Sequence, residues 1–351
     1  MESVDISGRT IGAEEPTFII AEAGSNHDGK FKRAKELIDK AANAGVDAVK
    51  FQTFRVEQMY RGGRNQNLQD TFSQYEMPYD WIPRLHEYCE DRGVLFLSTP
   101  FDEQSADELA EYVPAFKIAS LTASHKPLLE HVGQYNKPVI LSTGAQTINE
   151  VRESVEILRD AGTDEIVLLQ CVSSYPTPLE DSNIRVIDTL QEQFGVPSGL
   201  SDHTLDPIVA PMAAVARGGA VIEKHFTTDN SREGLDHSYA LEPDELKTMV
   251  SMIRDTETAL GSPEKTVLPV EQDLRESARR SLQAAQDIPE GTKITRDDVA
   301  ILRPGEHNRG LDPNFLDVVV GATVLEQLEQ GAGITWDVIN RDAPGDLSID
   351  P

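Results

Sequence analysis

Short runs rich in β-branched and aliphatic residues alternate with stretches whose apolar positions recur every three to four residues. The runs predict strands at 17–24, 46–52, 94–100, 115–120, 138–144, 165–176, 196–203 and 220–226. The periodic stretches predict helices at 30–44, 81–92, 101–112, 127–135, 148–161, 183–194, 207–217 and 243–260. In the first helix Ala34, Leu37, Ile38 and Ala41 fall on one face, and Gly45 stands where a helix C′ residue belongs. A polar insertion rich in Arg, Gln and Asn, 55–74, interrupts the alternation after the second strand. Eight strand–helix units in about 245 residues is the count and size of a (β/α)8 TIM barrel of class α/β. The runner-up, a doubly wound open sheet, would want a glycine-rich phosphate turn after its first strand, and AEAGSNHDG is not one.

Beyond the barrel the pattern changes. Residues 261–277 lack periodicity and read as a linker after a catalytic domain of 1–260. Residues 278–351 carry short β-like pieces and turn pairs such as Pro304-Gly305, the pattern of a small β-rich domain.

Charge narrows the partners. The 351 residues carry a net charge of −28, which repels nucleic acid and anionic lipid surfaces. Only 12 of the 32 basic residues are lysine, and excess carboxylate with scarce lysine fits a halophilic source, where salt screens surface repulsion. Two cysteines, Cys89 and Cys171, cannot form a disulfide framework, so a reducing, cytoplasmic setting is expected. No signal peptide or membrane span is read in the chain.

In a TIM barrel the chemistry sits at the carboxyl ends of the strands. Polar residues there are Glu22, Lys50, Gln52, Thr99, Lys117, Ser120, Ser142, Ser173, Tyr175, Ser201, Asp202, His203, Glu223, Lys224 and His225. A lysine inside a strand is costly unless it meets an anion. Lys50 and Lys117 beside hydroxyls therefore suggest phosphate or carboxylate binding; the competing reading pairs each with a neighbouring carboxylate. His203 and His225, on adjacent strand ends, could converge on one divalent metal or be two separate loop histidines. Asp202 and Asp236 would support metal or substrate. Glu22 ends an apolar strand, where it would be a general acid or base of raised pKa or a salt-bridge partner of Lys50.

The motifs FIIAEAGSNHDG, VKFQTF, LSTPFD, FKIAS, VILSTG, SSYPTP, GLSDHT, EKHFT and LDHSYAL, in this order, resemble the sialic acid synthase family. The tail, with RRSLQAAQDIPEGTKIT and RPGEHNRGL, is similar to the family's antifreeze-like SAF domain, a β-clip. The resemblance implies condensation of phosphoenolpyruvate with an N-acetylated hexosamine, typically N-acetylmannosamine, and release of phosphate. It implies that Lys50, Thr99, Lys117, Ser120, Ser142 and Ser201 hold phosphoenolpyruvate. His203 and His225 would bind Mn²⁺, or Mg²⁺ or Co²⁺ in its place. Gln52, Tyr175 and Asp236 would face the sugar, and Glu22 would position or activate water. Arg303 would reach the N-acetyl group from a partner subunit, which implies a domain-swapped homodimer. Two positions depart from the family pattern. Thr122 stands where the sialic acid branch carries an acidic residue, and Ser173 where an asparagine is common. Two other classes compete: a Schiff-base pyruvate aldolase or lyase using Lys50 or Lys117, and a non-catalytic carbohydrate-binding protein.

Overall fold

The computed structural model describes residues 2–61 and 66–340. They form two compact units, divided between Gly261 and Ser262.

The first unit opens with an antiparallel hairpin of β1 (Val4–Ile6) and β2 (Arg9–Ile11), which the hydrophobic pattern did not predict. Eight parallel strands follow: β3 (Phe18–Gly24), β4 (Ala48–Thr53), β5 (Leu95–Pro100), β6 (Phe116–Ile118), β7 (Val139–Ser142), β8 (Ile166–Cys171), β9 (Ser198–Asp202) and β10 (Val221–His225). Their hydrogen-bonded order is β5-β4-β3-β10-β9-β8-β7-β6, and β5 lies against β6 to close the sheet on itself. This is the TIM barrel; an open doubly wound sheet has no place in that order.

Each strand buries both faces, because helices cover the outside while side chains fill the inside. Alternation sorts the two layers. Ile19, Ala21, Val49, Phe51, Phe116, Leu141, Leu168 and Ile222 pack outward against the helices. Phe18, Ile20, Ala48, Leu97, Ala115, Ile140, Val167 and Val221 form a separate inner cluster, joined by Val4, Ile6 and Ile11 of the hairpin. The hairpin thus plugs the amino-terminal end of the barrel with apolar side chains.

Helix ends follow local chemistry. Helix Phe31–Ala44 ends at Gly45, whose φ of 86° is left-handed and whose N–H reaches the Ala42 carbonyl. Helix Ile148–Ala161 starts in a Thr147/Glu150 capping box. Strands are shorter than the apolar runs suggest. Ser120 falls in a 3₁₀ turn (Ser120–Thr122), and Ser173 and Tyr175 lie in the loop after β8. The polar insertion contains helices Val56–Met59 and Gln66–Ser73.

Within the stretch read as a linker, a 3₁₀ turn, Pro269–Glu271, leads into helix Gln272–Ala278. The remainder holds antiparallel pairs β11 (Ser281–Ala284) with β12 (Val299–Leu302) and β13 (Thr323–Val324) with β14 (Ile339–Asn340). Leu282, Ile288, Ile294, Val319, Val324 and Ile334 make its own core. Among the described residues no helix is long and apolar enough to cross a membrane.

Candidate active site

The inner layer changes from apolar to polar along each strand. On β3, Phe18 and Ile20 precede Glu22; on β4, Ala48 precedes Lys50 and Gln52; on β6, Ala115 precedes Lys117. Ile140 precedes Ser142, Leu97 precedes Thr99, and Val221 precedes Glu223 and His225. Two-residue spacing therefore aims these polar groups into the barrel at one end.

There they form a connected, buried network. Lys50 Nζ lies 2.6 Å from Glu22 Oε2 and donates to Thr99 Oγ1 at 3.1 Å. Gln52 Nε2 donates to Glu22 Oε1 at 2.8 Å. Lys117 Nζ donates to Ser142 Oγ at 2.7 Å. Glu223 Oε1 stands between the two lysines, 3.8 Å from Lys50 and 3.6 Å from Lys117, and accepts from Ser201 Oγ at 3.1 Å. Sequence reading names Glu223 as a strand-end residue but gives it no part. Its parity with Val221 and His225 is the signal that places it inside.

Burial governs the charges. Loss of water drives the Glu22 carboxyl up to about 7, with Lys50 opposing and Glu223 reinforcing. Desolvation acts on Glu223 in the same sense, but Lys117, Lys50 and His225 together outweigh it and hold that carboxyl down. Lys117 is lowered by burial. Lys50 is raised, since Glu22 and Glu223 outweigh its desolvation. Both readings of Glu22 thus coexist: it pairs with Lys50, and it also has a raised pKa.

A second group lies beside the network. The His203 and His225 rings are 5.4 Å apart, with Tyr175 stacked 4.2 Å from His203 and Tyr239 5.2 Å from His225. His203 Nδ1 lies 2.8 Å from the Val172 carbonyl, which leaves Nε2 as its free nitrogen. His225 Nδ1 is buried with no partner among the described residues, and burial lowers its pKa, favouring the neutral ring that a metal needs. These two donors fit a divalent cation. No cluster of three His, Cys, Asp or Glu exists among the described residues, so substrate and water oxygens would complete the coordination.

Asp236 accepts from Ser25 N at 3.2 Å and from the Tyr239 hydroxyl. It crowds Gly24, where an added Cβ would sit 2.6 Å from Asp236 Oδ2. Gly144 is equally confined: a Cβ there would meet Ser173 Oγ at 2.6 Å and Ser120 Oγ at 2.9 Å, and its N–H donates to Ser120. A cavity of about 520 Å³ is walled by Gln52, Ser120, Tyr175, His225 and Asp236 on its polar side. Phe54, Met59, Phe72, Phe101, Leu121 and Leu235 supply the apolar side, and no lysine or arginine is among its described lining.

Asp202 does not face the site; it points outward and binds Lys224 at 2.6 Å. Arg303 is an exposed residue just past β12 in the second unit. Thr122 is buried in its 3₁₀ turn and does not line the cavity, whereas its neighbour Leu121 does.

The chain matches the NeuB family model over residues 37–265 and the SAF domain model over residues 279–340. It is 41% identical to the spore coat polysaccharide biosynthesis protein SpsE of Bacillus subtilis, over 98% of this chain and 99% of that protein. It is 38% identical to the N,N'-diacetyllegionaminic acid synthase of Legionella pneumophila, over 93% of this chain and 96% of that enzyme. The crystal structure of N-acetylneuraminic acid synthetase from Leptospira borgpetersenii, in complex with citrate, superposes with a TM-score of 0.74 at 34% identity, covering 80% of this chain and 98% of that one. A polar inner barrel end, a barrel matched by the family model over most of its length and a matching tail lead to one conclusion: this chain is an enzyme of the NeuB family of synthases, with a SAF domain after its barrel.

Proposed function

We propose that the protein condenses phosphoenolpyruvate with an N-acetylated hexosamine and water, giving a nine-carbon 2-keto sugar acid and phosphate. The observation that carries this reading is the pair of buried lysines on the inner wall. Lys117 has one carboxylate within ion-pair distance, Glu223 at 3.6 Å, and shares it with Lys50 at 3.8 Å, so the two ammonium groups can take a further anion. Thr99, Ser142 and Ser120 accept from Lys50, Lys117 and the Gly144 N–H and so keep their hydroxyl protons as neutral donors around the same space, while Ser201 donates its own to Glu223. Such a cluster suits the carboxylate and phosphate of phosphoenolpyruvate. Names of the relatives, a legionaminic acid synthase and an N-acetylneuraminic acid synthetase, support the product class.

In this reading Lys50 and Lys117 hold the two anionic groups and offset the charge of the departing phosphate. The enol carbon attacks the aldehyde of the open-chain sugar, and cationic character develops at C2 of the former enol. Water adds there and Glu22 takes one of its protons, an equivalent proton going to the former aldehyde oxygen, which becomes a hydroxyl; phosphate then leaves with its C–O bond broken and with the remaining hydroxyl proton as the ketone forms. Gln52 orients Glu22 through their 2.8 Å bond. Asp236, Tyr175 and Ser173 face the sugar hydroxyls. His203 and His225 would hold a divalent ion, Mn²⁺ in our reading, which supplies Lewis-acid polarisation of the aldehyde oxygen. Arg303 would contact the N-acetyl group from a partner subunit of a domain-swapped homodimer. The enzyme would work in the cytoplasm.

The experiment is phosphate release from phosphoenolpyruvate with a panel of N-acetyl hexosamines and added Mn²⁺. Release that needs both a hexosamine and the metal is expected. Because the cavity's described lining has no cation, a 6-phosphorylated hexosamine should be a poorer acceptor than a neutral one. No release with any sugar would refute the reading. Calorimetry on a His203→Ala/His225→Ala chain tests the metal: unchanged Mn²⁺ binding removes that assignment. Co-expression of Arg303→Ala with Glu22→Gln chains tests the swap, since only a site shared between subunits regains activity.

One observation favours a second reading. The lowered pKa of buried Lys117 also suits a Schiff-base nucleophile. Borohydride trapping with pyruvate would reveal it; absence of trapping, with sensitivity to chelators, supports the synthase.

A further inference from the structure

Behind the two imidazoles lies a polar cluster that the proposed chemistry does not use. Side chains alternate along β9 and β10, so the neighbours of His203 and His225 turn the other way. Asp202 and Lys224 point outward, into the layer where Leu200 and Ile222 pack against helices. Lys224 is only 1% exposed. A charge in that layer is costly unless fully paired, and this one is. Its Nζ meets Asp202 Oδ2 at 2.6 Å, Thr204 Oγ1 and the Asp206 carbonyl at 3.2 Å each, and also the Thr204 carbonyl. Asp202 in turn accepts from Thr204 N at 2.9 Å and Thr204 Oγ1 at 3.1 Å.

The location of this cluster gives it a consequence. The β9–β10 ladder ends at the Lys224–Asp202 pair itself. His203 stands one residue past that end, and the next regular element begins at Val209. No ladder bond therefore ties His203 to β10, where His225 sits. Towards the chain after β8, His203 is held by the Thr177 N–H, which donates to its carbonyl at 2.9 Å, and by the Val172 carbonyl 2.8 Å from its Nδ1; towards β10, the Lys224 ammonium grips both of its flanks, Asp202 on one side and Thr204 on the other.

We propose that Lys224 and Asp202 are positioning residues that set the spacing of His203 and His225 from behind, and so tune the affinity of the pair for a divalent cation. The inference rests on the metal-binding reading of those histidines. It assigns the outer pair no contact with substrate.

The test is Mn²⁺ titration calorimetry on the full chain without substrates, alongside phosphoenolpyruvate affinity and thermal melting. Lys224→Met keeps an unbranched side chain one atom shorter but leaves Asp202 buried without its partner, so the single variant is expected to melt lower. The double variant Lys224→Met/Asp202→Asn removes both charges and keeps an acceptor for Thr204 N. We expect it to melt near the unaltered chain and to bind phosphoenolpyruvate within about twofold. Its Mn²⁺ affinity should fall roughly 10- to 100-fold, the usual loss when a group supporting a metal ligand is removed. Wild-type Mn²⁺ affinity in the folded double variant overturns the proposal. So do equal losses of Mn²⁺ and phosphoenolpyruvate affinity, which would indicate a general structural part. If the unaltered chain takes up no Mn²⁺, the metal reading itself falls, and this inference with it.

Discussion

At the scale of single residues, the site is a set of charges taken out of water. Glu22 shows what that does. Burial raises its pKa to about 7, so the carboxyl is protonated below that value and ionised above it. If the ionised form accepts the proton of the attacking water, turnover rises with pH through about 7. Glu22→Gln should abolish that rising limb and lower kcat roughly 10²-fold or more, with phosphoenolpyruvate binding nearly unchanged. A pH–rate profile of the variant that keeps the limb would assign it to another group. Glu22 was readable in the sequence because a carboxylate closing an apolar strand is conspicuous. Glu223 was named but given no part, since its meaning depends on lying 3.8 Å and 3.6 Å from lysines of two other strands. Of the two parts the sequence leaves open for Asp202, supporting a metal or touching substrate, parity with Leu200 turns the side chain outward, away from a substrate contact.

At the scale of elements, the period of the pattern was decisive. Parallel strands buried on both faces read as unbroken apolar runs, and the helices between them read as 3.6-residue stripes. Ends were less legible. The run 165–176 continues past β8, but the strand stops at Cys171, whose pairing with Ser201 is the last of the β8–β9 ladder. The N-terminal hairpin was missed because three-residue strands are too short for alternation to register. Where caps exist, they are local and testable. Thr147 and Glu150 satisfy each other's orphan backbone donors at the start of helix Ile148–Ala161. Thr147→Ala should cost about 1 kcal/mol, read as a lower urea midpoint at constant slope, without changing the KM for phosphoenolpyruvate. A larger loss, or a changed KM, would mean that this helix start also shapes the site.

At the scale of the whole molecule, the net charge of −28 is the dominant feature. At 0.1 M salt the screening length is about 10 Å, and at 1 M about 3 Å. Surface carboxylates therefore repel across the molecule in dilute buffer and much less in concentrated salt. The melting temperature should rise by several degrees between 0.1 M and 2 M KCl. A flat or falling curve would show that charge repulsion does not limit stability, and would remove the argument for a halophilic source. Each unit has its own apolar core, so unit 1 expressed as residues 1–261 should melt cooperatively by itself. A broad, non-cooperative melt of that fragment would show that it needs the rest of the chain.

The sequence by itself determined the eight strand–helix repeats, the β-rich tail, the family and almost every polar residue at the strand ends. These are written locally, in periodicity, in glycine stops and in motifs a few residues long. Only the tertiary structure decided which of those polar groups share one space. Closing the sheet brings β3, β4, β6 and β10 around a single axis, so that two lysines and two carboxylates meet although up to about 200 residues separate them. The same closure sends Lys224 and Asp202 to the opposite side, because a step of one residue along a strand reverses the direction of its side chain.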